Sequence, residues 1–232
     1  MPVMKAIRGK DYCDASALQF EDTPRPSPGP GAILVRVYTA AVNPIDSTLP
    51  AGFMKAMMPL IFPWTPGFDP SGVVESVGAG VQTLAVGDDV FGKGELLGGT
   101  YPEYVTMPAG NLARKPRAID RVHAAAIPLA ALTTWQGLFD GLELEKGQTV
   151  LVTGAAGGDG GFAVQLAKWK GTRVVAAART AHEEHLRALG ADVFVFVDTA
   201  GGLSGAGRVH AVLDLLSGEV AQKAWAQLRN AR

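Results

Sequence analysis

Cysteine is almost missing from this chain: Cys13 is the only one in 232 residues. A lone thiol closes no internal disulfide, and it excludes a zinc site built on several cysteines. Excess charge is missing too. The formal net charge is −1, which gives no electrostatic reason to expect a nucleic acid or other polyanion as partner. No stretch reaches the roughly 20 apolar residues of a membrane span, and the first residues carry no signal-peptide pattern. A cytoplasmic protein off the membrane is the expectation. Hydrophobic residues, by contrast, make up 47% of the chain. That supplies a sizeable core, and the length suits one large or two modest domains.

The organising stretch is residues 149–168. Val150, Leu151 and Val152 form a short apolar run, as expected of a strand covered on both faces. Gly154, Gly157, Gly158, Gly160 and Gly161 follow at once, and Phe162, Val164, Leu166 and Ala167 suit a helix. Strand, glycine turn and helix come in the order that a dinucleotide site needs. Glycines let the backbone approach a pyrophosphate, and the helix N-terminus offers free N–H groups and a partial positive charge. A glycine turn alone could be only a tight turn. Here a second strand at 173–177 stands at βαβ spacing, and the helix closes at Lys170-Gly171, as a C-terminus prefers.

The N-terminal half reads as β-rich. Strands are expected at 4–8, 32–42, 71–77, 89–91 and 103–106, with a proline-rich, irregular connection over 23–31. Many short strands punctuated by Gly and Pro suggest a small barrel. Residues 47–66 crowd Phe53, Met54, Met57, Met58, Leu60, Ile61, Phe62 and Trp64 among prolines. This loop either folds onto the barrel core or lines a substrate pocket. Residues 123–139 read as helical, broken or restarted at Pro128. From 149 onward strands (149–153, 173–177, 193–197, 209–213) alternate with helices (about 160–170, 181–189, 218–229), which is a doubly wound parallel sheet. The domain boundary is placed near 125, giving domains over 1–125 and 126–232.

Several residues admit two readings. His182 and His185 could pair on a metal, but they sit beside Glu183 and Glu184 on what reads as a solvated helix face; no metal site is expected. Asn43, an amide at a strand end, can hold a carbonyl or a cofactor without titrating, or it can simply stabilise the turn before Pro44. Tyr101 can wall a site or just pack. The second strand of the parallel sheet ends in Ala176-Ala-Ala-Arg179-Thr180 rather than in an acid. An arginine there pairs with a 2′-phosphate and favours NADP, unless it is only a solvated strand-end residue.

Taken together, residues 42–46 (VNPID), 66–74 (PGFDPSGVV), 86–90 (VGDDV), 98–105 (GGTYPEYV), 129–136 (LAALTTWQ) and 150–158 (VLVTGAAGG) resemble the zinc-independent quinone oxidoreductases, the zeta-crystallin-like group of medium-chain dehydrogenases/reductases. The resemblance implies a GroES-like β-barrel domain followed by a Rossmann domain, with the active site in the cleft between them. It implies NADPH as hydride donor and a quinone, activated alkene or enone as acceptor. Where zinc-dependent relatives place a cysteine and a His-Glu pair, this chain has Asn43 and Phe68-Asp69. Thr133 and Thr134 match family positions near the nicotinamide; as plain residues they could equally be surface or back-bonded threonines. The expected catalytic residues are Asn43, Thr134 and Tyr101. The expected cofactor contacts are Asn43, Thr133, Thr134, Ala155, Gly157, Gly158, Asp159, Gly160 and Arg179. A full-length relative is expected to pair as a homodimer.

Two features depart from the family pattern. Asp159 stands where the family commonly has an apolar residue, such as valine, packing the first helix on the sheet. A carboxylate there is costly to bury and sits near the pyrophosphate's own charge. The parallel sheet also stops after its fourth strand instead of reaching six, so the Rossmann domain reads as incomplete and the chain as C-terminally truncated. The reading is therefore an NADPH-dependent reductase, with a non-catalytic binding or structural protein as the alternative.

Overall fold

The computed structural model describes residues 2–96 and 98–229. The chain forms two compact units, Met1–Leu129 and Ala130–Arg232.

In the first unit β1 (Val3–Arg8) and β2 (Gln19–Pro24) pair as an antiparallel hairpin. β2 was not expected, because most of its side chains are exposed and no apolar face marks it. Pairing with β1 makes it a strand, with Lys5–Asp22 (2.9 Å) and Arg8–Glu21 (3.3 Å) bridging the two. Pro24 is tolerated at the strand's end, where no ladder hydrogen bond is lost. Next come β3 (Ala32–Ala41), α1 (Pro44–Thr48), β4 (Asp69–Val77), β5 (Asp89–Gly92), β6 (Tyr104–Pro108) and β7 (Leu112–Arg114). The five strands form one antiparallel sheet in the order β6-β3-β4-β5-β7. β7 also escaped the sequence reading, being three residues long and too short to show a period. Ile33, Val35, Val74, Val90, Val105 and Met107 are the buried core of this sheet.

The apolar segment at 47–66 folds in part onto the core, the first of the two readings. Leu49, Leu60 and Trp64 are buried with Phe68, while Phe53, Met57 and Ile61 are 84%, 77% and 69% exposed. The helical stretch after residue 120 is two pieces, α2 (Arg121–Ala125) and α3 (Pro128–Trp135). Pro128 opens α3, a place where its missing N–H costs nothing. A π-helical turn, Gln136–Gly141, continues α3.

The second unit holds β8 (Thr149–Thr153), α4 (Gly158–Lys170), β9 (Arg173–Ala178), α5 (Glu183–Ala188), β10 (Val193–Phe196), β11 (Ala211–Leu213) and α6 (Gly218–Trp225). Its sheet is parallel in the order β10-β9-β8-β11. Every residue of β8 is buried, as its unbroken apolar run required. Val150, Val152, Val174 and Ala176 pack with Ala163, Val164 and Ala167 of α4. Leu151, Val175, Ala177 and Val195 pack on the opposite face with Leu203, Val209 and Ala224. β11 starts two residues later than expected, because Val209 bridges Leu228 instead of joining the sheet. α6 likewise ends at Trp225, short of the 229 expected. No helix among the described residues is long and apolar enough to cross a membrane.

Candidate functional site

In the first unit the chemistry gathers where β3 runs into α1. Asn43 caps α1, Pro44 is its first residue and Asp46 occupies the third position, a capping-box arrangement in which the acid reaches back to the cap's N–H. Asp46, only 5% exposed, accepts three hydrogen bonds: from the Asn43 N–H (2.7 Å), the Gly67 N–H (3.0 Å) and the Tyr101 hydroxyl (2.9 Å). That set of donors is what a buried carboxylate needs. Gly67 has φ +99, and a Cβ there would lie 2.5 Å from Thr100 Oγ1 and from the Tyr101 ring. Only glycine lets this turn deliver its N–H to Asp46.

A second carboxylate lies alongside. Asp69, the first residue of β4, is 1% exposed. It accepts the Asn43 side-chain N–H (Nδ2, 2.8 Å) and the Leu129 N–H in the first turn of α3 (2.8 Å). Burial raises its pKa from 3.8 to about 6, with the nearby Asp46 charge adding to the rise; the Asn43 and Leu129 hydrogen bonds and Lys93 oppose it. Burial and the bond to Asp46 likewise push the Tyr101 phenol well above its ordinary value. The Tyr101 hydroxyl also lies 3.1 Å from the Ala41 carbonyl. Asn43 and Tyr101 are thus brought together through Asp46, and Asp69 completes the set. Neither acid was singled out from sequence. The signal was available, since both stand inside apolar, glycine- and proline-rich stretches where an acid needs a partner.

In the second unit the glycine turn leads into α4 as expected. Gly157 caps the helix with no side-chain cap, so the first-turn N–H groups of Gly158, Asp159 and Gly160 are left without a capping side chain. Gly160 is buried, and a Cβ there would lie 2.2 Å from the Gly154 carbonyl oxygen. This is the close helix–strand approach that the last glycine of a dinucleotide turn provides. Ala155 is fully buried and its N–H binds the Ala177 carbonyl at 3.1 Å, so it ties the turn to β9. Thr134 is buried and its hydroxyl donates to the Asp159 carbonyl at 3.0 Å. It is therefore a strut under the first turn of α4, not a surface or back-bonded threonine. Thr133 is exposed.

Asp159 does not enter the helix–sheet packing, which is made by Gly160, Ala163, Val164 and Ala167. It is half-buried, with no side-chain hydrogen bond among the described residues, and desolvation raises its pKa. Arg179 is exposed at the end of β9, before a short turn, Thr180–His182. Asp198, beyond β10, accepts the Thr180 N–H (3.1 Å) and hydroxyl (3.0 Å), and its pKa is lowered by these bonds and by the Arg179 charge. His182 and His185 are exposed. Among the described residues no three His, Cys, Asp or Glu side chains converge as metal ligands.

Comparison with known proteins fits both halves. Residues 29–117 match the alcohol dehydrogenase GroES-like domain. The chain is 32% identical over 197 residues to the chloroplast envelope quinone oxidoreductase homolog of Arabidopsis thaliana, covering 82% of this chain and 60% of that protein. It is 36% identical over 203 residues to an NADPH-dependent alkenal/one oxidoreductase of the same plant, covering 83% and 52%. The solved quinone oxidoreductase from Coxiella burnetii superposes with a TM-score of 0.87 at 31% identity, over 98% of this chain and 73% of that one. The chain thus spans between half and two thirds of the length of these curated plant relatives.

Proposed function

This chain belongs to the zeta-crystallin-like quinone oxidoreductases of the medium-chain dehydrogenase/reductase family, and from that premise we propose an NADPH-dependent, zinc-independent reductase of quinones or enones. The observation that carries the proposal is the turn between β8 and α4. Gly160 closes the helix onto the strand, and the first-turn N–H groups of Gly158, Asp159 and Gly160 have no side-chain cap, while the Gly157 N–H is held by the Gly154 carbonyl at 2.9 Å. That is an anion site of the kind a pyrophosphate occupies. Gly157, Gly158 and Gly160 would hold the pyrophosphate, Ala155 would shape the turn, and Arg179 would pair with the 2′-phosphate. Thr134 keeps the first turn of α4 in place through the Asp159 carbonyl. Asp159 is the one poorly matched residue, being a carboxylate beside an anion site.

Bound NADPH supplies the hydride. The chain's own residues position and exclude. Asn43 is the hydrogen-bonding contact in the first unit, and exposed Thr133 is a further polar contact in the second. Tyr101 forms a wall and not an acid, because its hydroxyl is already committed to Asp46 and its phenol is harder to ionise than usual. The proton that accompanies the hydride onto the acceptor then comes from water. Zinc-independence is supported by the donors present. Asn43 and Asp69, standing where zinc-dependent relatives have ligands, are hydrogen-bonded to each other. An amide is a poor zinc ligand compared with thiolate or imidazole.

The test is a titration of the 232-residue chain with NADPH and NADH, followed by assay of NADPH oxidation with a quinone and with an enone. Saturable NADPH binding with turnover of either acceptor supports the reading. Failure to bind either nucleotide would overturn it.

A further inference from the structure

The Asn43 carboxamide donates to a buried carboxylate, Asp69, whose protonation bears on which way the amide faces. An ionised carboxylate only accepts hydrogen bonds, so opposite Asp69 the amide must present Nδ2, and Oδ1 turns away. The observed Nδ2–Oδ2 contact of 2.8 Å is that arrangement. The other Asp69 oxygen is anchored by the Leu129 N–H at 2.8 Å. The carboxylate therefore cannot swing aside to suit Asn43. A protonated carboxyl reverses the logic. It has an O–H to donate, and the amide can then turn its oxygen toward Asp69.

We infer that Asp69 is a positioning residue, holding the Asn43 amide with Oδ1 outward as a hydrogen-bond acceptor, and that protonation of Asp69 releases this orientation. The inference rests on the reading above only in taking Asn43 as a ligand contact; the orientation itself does not depend on it. With Asp69 ionised, Asn43 meets a ligand N–H or O–H, such as the carboxamide or a ribose hydroxyl of the cofactor. With Asp69 protonated, it offers its NH₂ instead and that contact is lost. Burial in the fold raises the Asp69 pKa to about 6, which brings the change within reach of ordinary assay conditions. The charged and titratable groups that face Asp69 are Asp46 of α1 and Lys93 after β5, with Tyr101 linked through Asp46.

The experiment follows the Asn43 side-chain amide by NMR, assigned by its loss in Asn43→Ala, from about pH 5 to about pH 8. The carboxyl carbons of Asp69 and Asp46 are followed in the same samples. The expected result is that the Asn43 signals move with the Asp69 midpoint near 6, and that Asp69→Asn abolishes the movement. NADPH affinity should fall several-fold below that midpoint in the wild type and show no such step in Asp69→Asn. Should Asp69→Asn not fold, the wild-type midpoints decide: coincidence of Asn43 with Asp69 supports the inference. Asn43 signals that stay still, or that follow Asp46, overturn it. If Asn43 follows Asp69 but no nucleotide binds, the proposed function fails while the positioning role stands. If NADPH binds with no step at the Asp69 midpoint, the coupling to ligand is wrong.

Discussion

Asp198 accepts both the N–H and the hydroxyl of Thr180, at 3.1 and 3.0 Å, immediately beside Arg179. The donors that would serve a 2′-phosphate at the end of β9 are thus already paired with an acid, and the Arg179 charge is partly offset by that acid. NADPH should still bind several-fold more tightly than NADH through Arg179, and Arg179→Ala should remove most of the difference. Asp198→Asn should widen the NADPH preference by about tenfold, by freeing charge-assisted bonds for the phosphate. Paired titrations of both nucleotides check this; equal affinities in the wild type would sink the role given to Arg179.

Two glycines of the same turn should behave oppositely. A methyl group at Gly160 meets the Gly154 carbonyl at 2.2 Å and Ala155 Cα at 2.6 Å, whereas at Gly158 it meets nothing within 4 Å. Gly160→Ala forces backbone apart and should cost about 3 kcal/mol or more. Gly158→Ala should leave the melting temperature within about 2 °C, while weakening NADPH by crowding the pyrophosphate. Denaturation curves alongside nucleotide titrations separate the two; loss of stability in Gly158→Ala would show that its outward position is misjudged.

Asp159 carries a desolvation cost with no side-chain hydrogen bond among the described residues to offset it. Asp159→Val should add about 1 kcal/mol of stability at neutral pH and tighten NADPH. The sign of the pH effect follows from the raised pKa. The folded protein holds this proton more firmly than the unfolded chain, so the group favours folding most below its unfolded pKa, and that contribution is lost as pH rises through the folded value. The advantage of valine should therefore grow from acid toward neutral pH. Melting temperatures of both proteins across that range test it. A valine variant that melts lower and binds more weakly would make Asp159 a useful part of the site.

Asp69 follows the same sign with a defined window. Its pKa rises from 3.8 to about 6, so its contribution to stability is greatest below 3.8 and is lost by about pH 6. The loss is at most about 3 kcal/mol. Asp69→Asn should melt above the wild type near neutral pH, with the gap closing toward about pH 4. A variant that is more stable and yet binds NADPH less well would separate the positioning role from a structural one. A constant difference at all pH values would contradict the burial argument.

Removing the Tyr101 hydroxyl takes one of three donors from Asp46. Tyr101→Phe should cost about 2 kcal/mol, with acceptor turnover retained within a few-fold because the phenol is a wall. Turnover lost with NADPH affinity intact would make Tyr101 a proton donor and revise that assignment.

What the sequence determined by itself is the local and periodic part. The unbroken apolar runs of β8 and β9, the glycines between β8 and α4 and the closing Lys170-Gly171 each act within a few residues. Backbone sterics and burial therefore write them directly into the chain. The strands without such a signature, β2 and β7, exist only because β1 and β5 pair with them. Apart from the local Asn43–Asp46 cap, the polar contacts of the site belong to the tertiary structure. Asp69 meets Asn43 from 26 residues away, and Tyr101 meets Asp46 from 55. Asp198 reaches Thr180 across 18 residues. No local pattern announces such pairs, because a carboxylate's partner is chosen by which segments the fold buries side by side. Thr134 makes the point on a single residue. Its place on a helix was legible, but its grip on the Asp159 carbonyl arose only when α3 and α4 packed together.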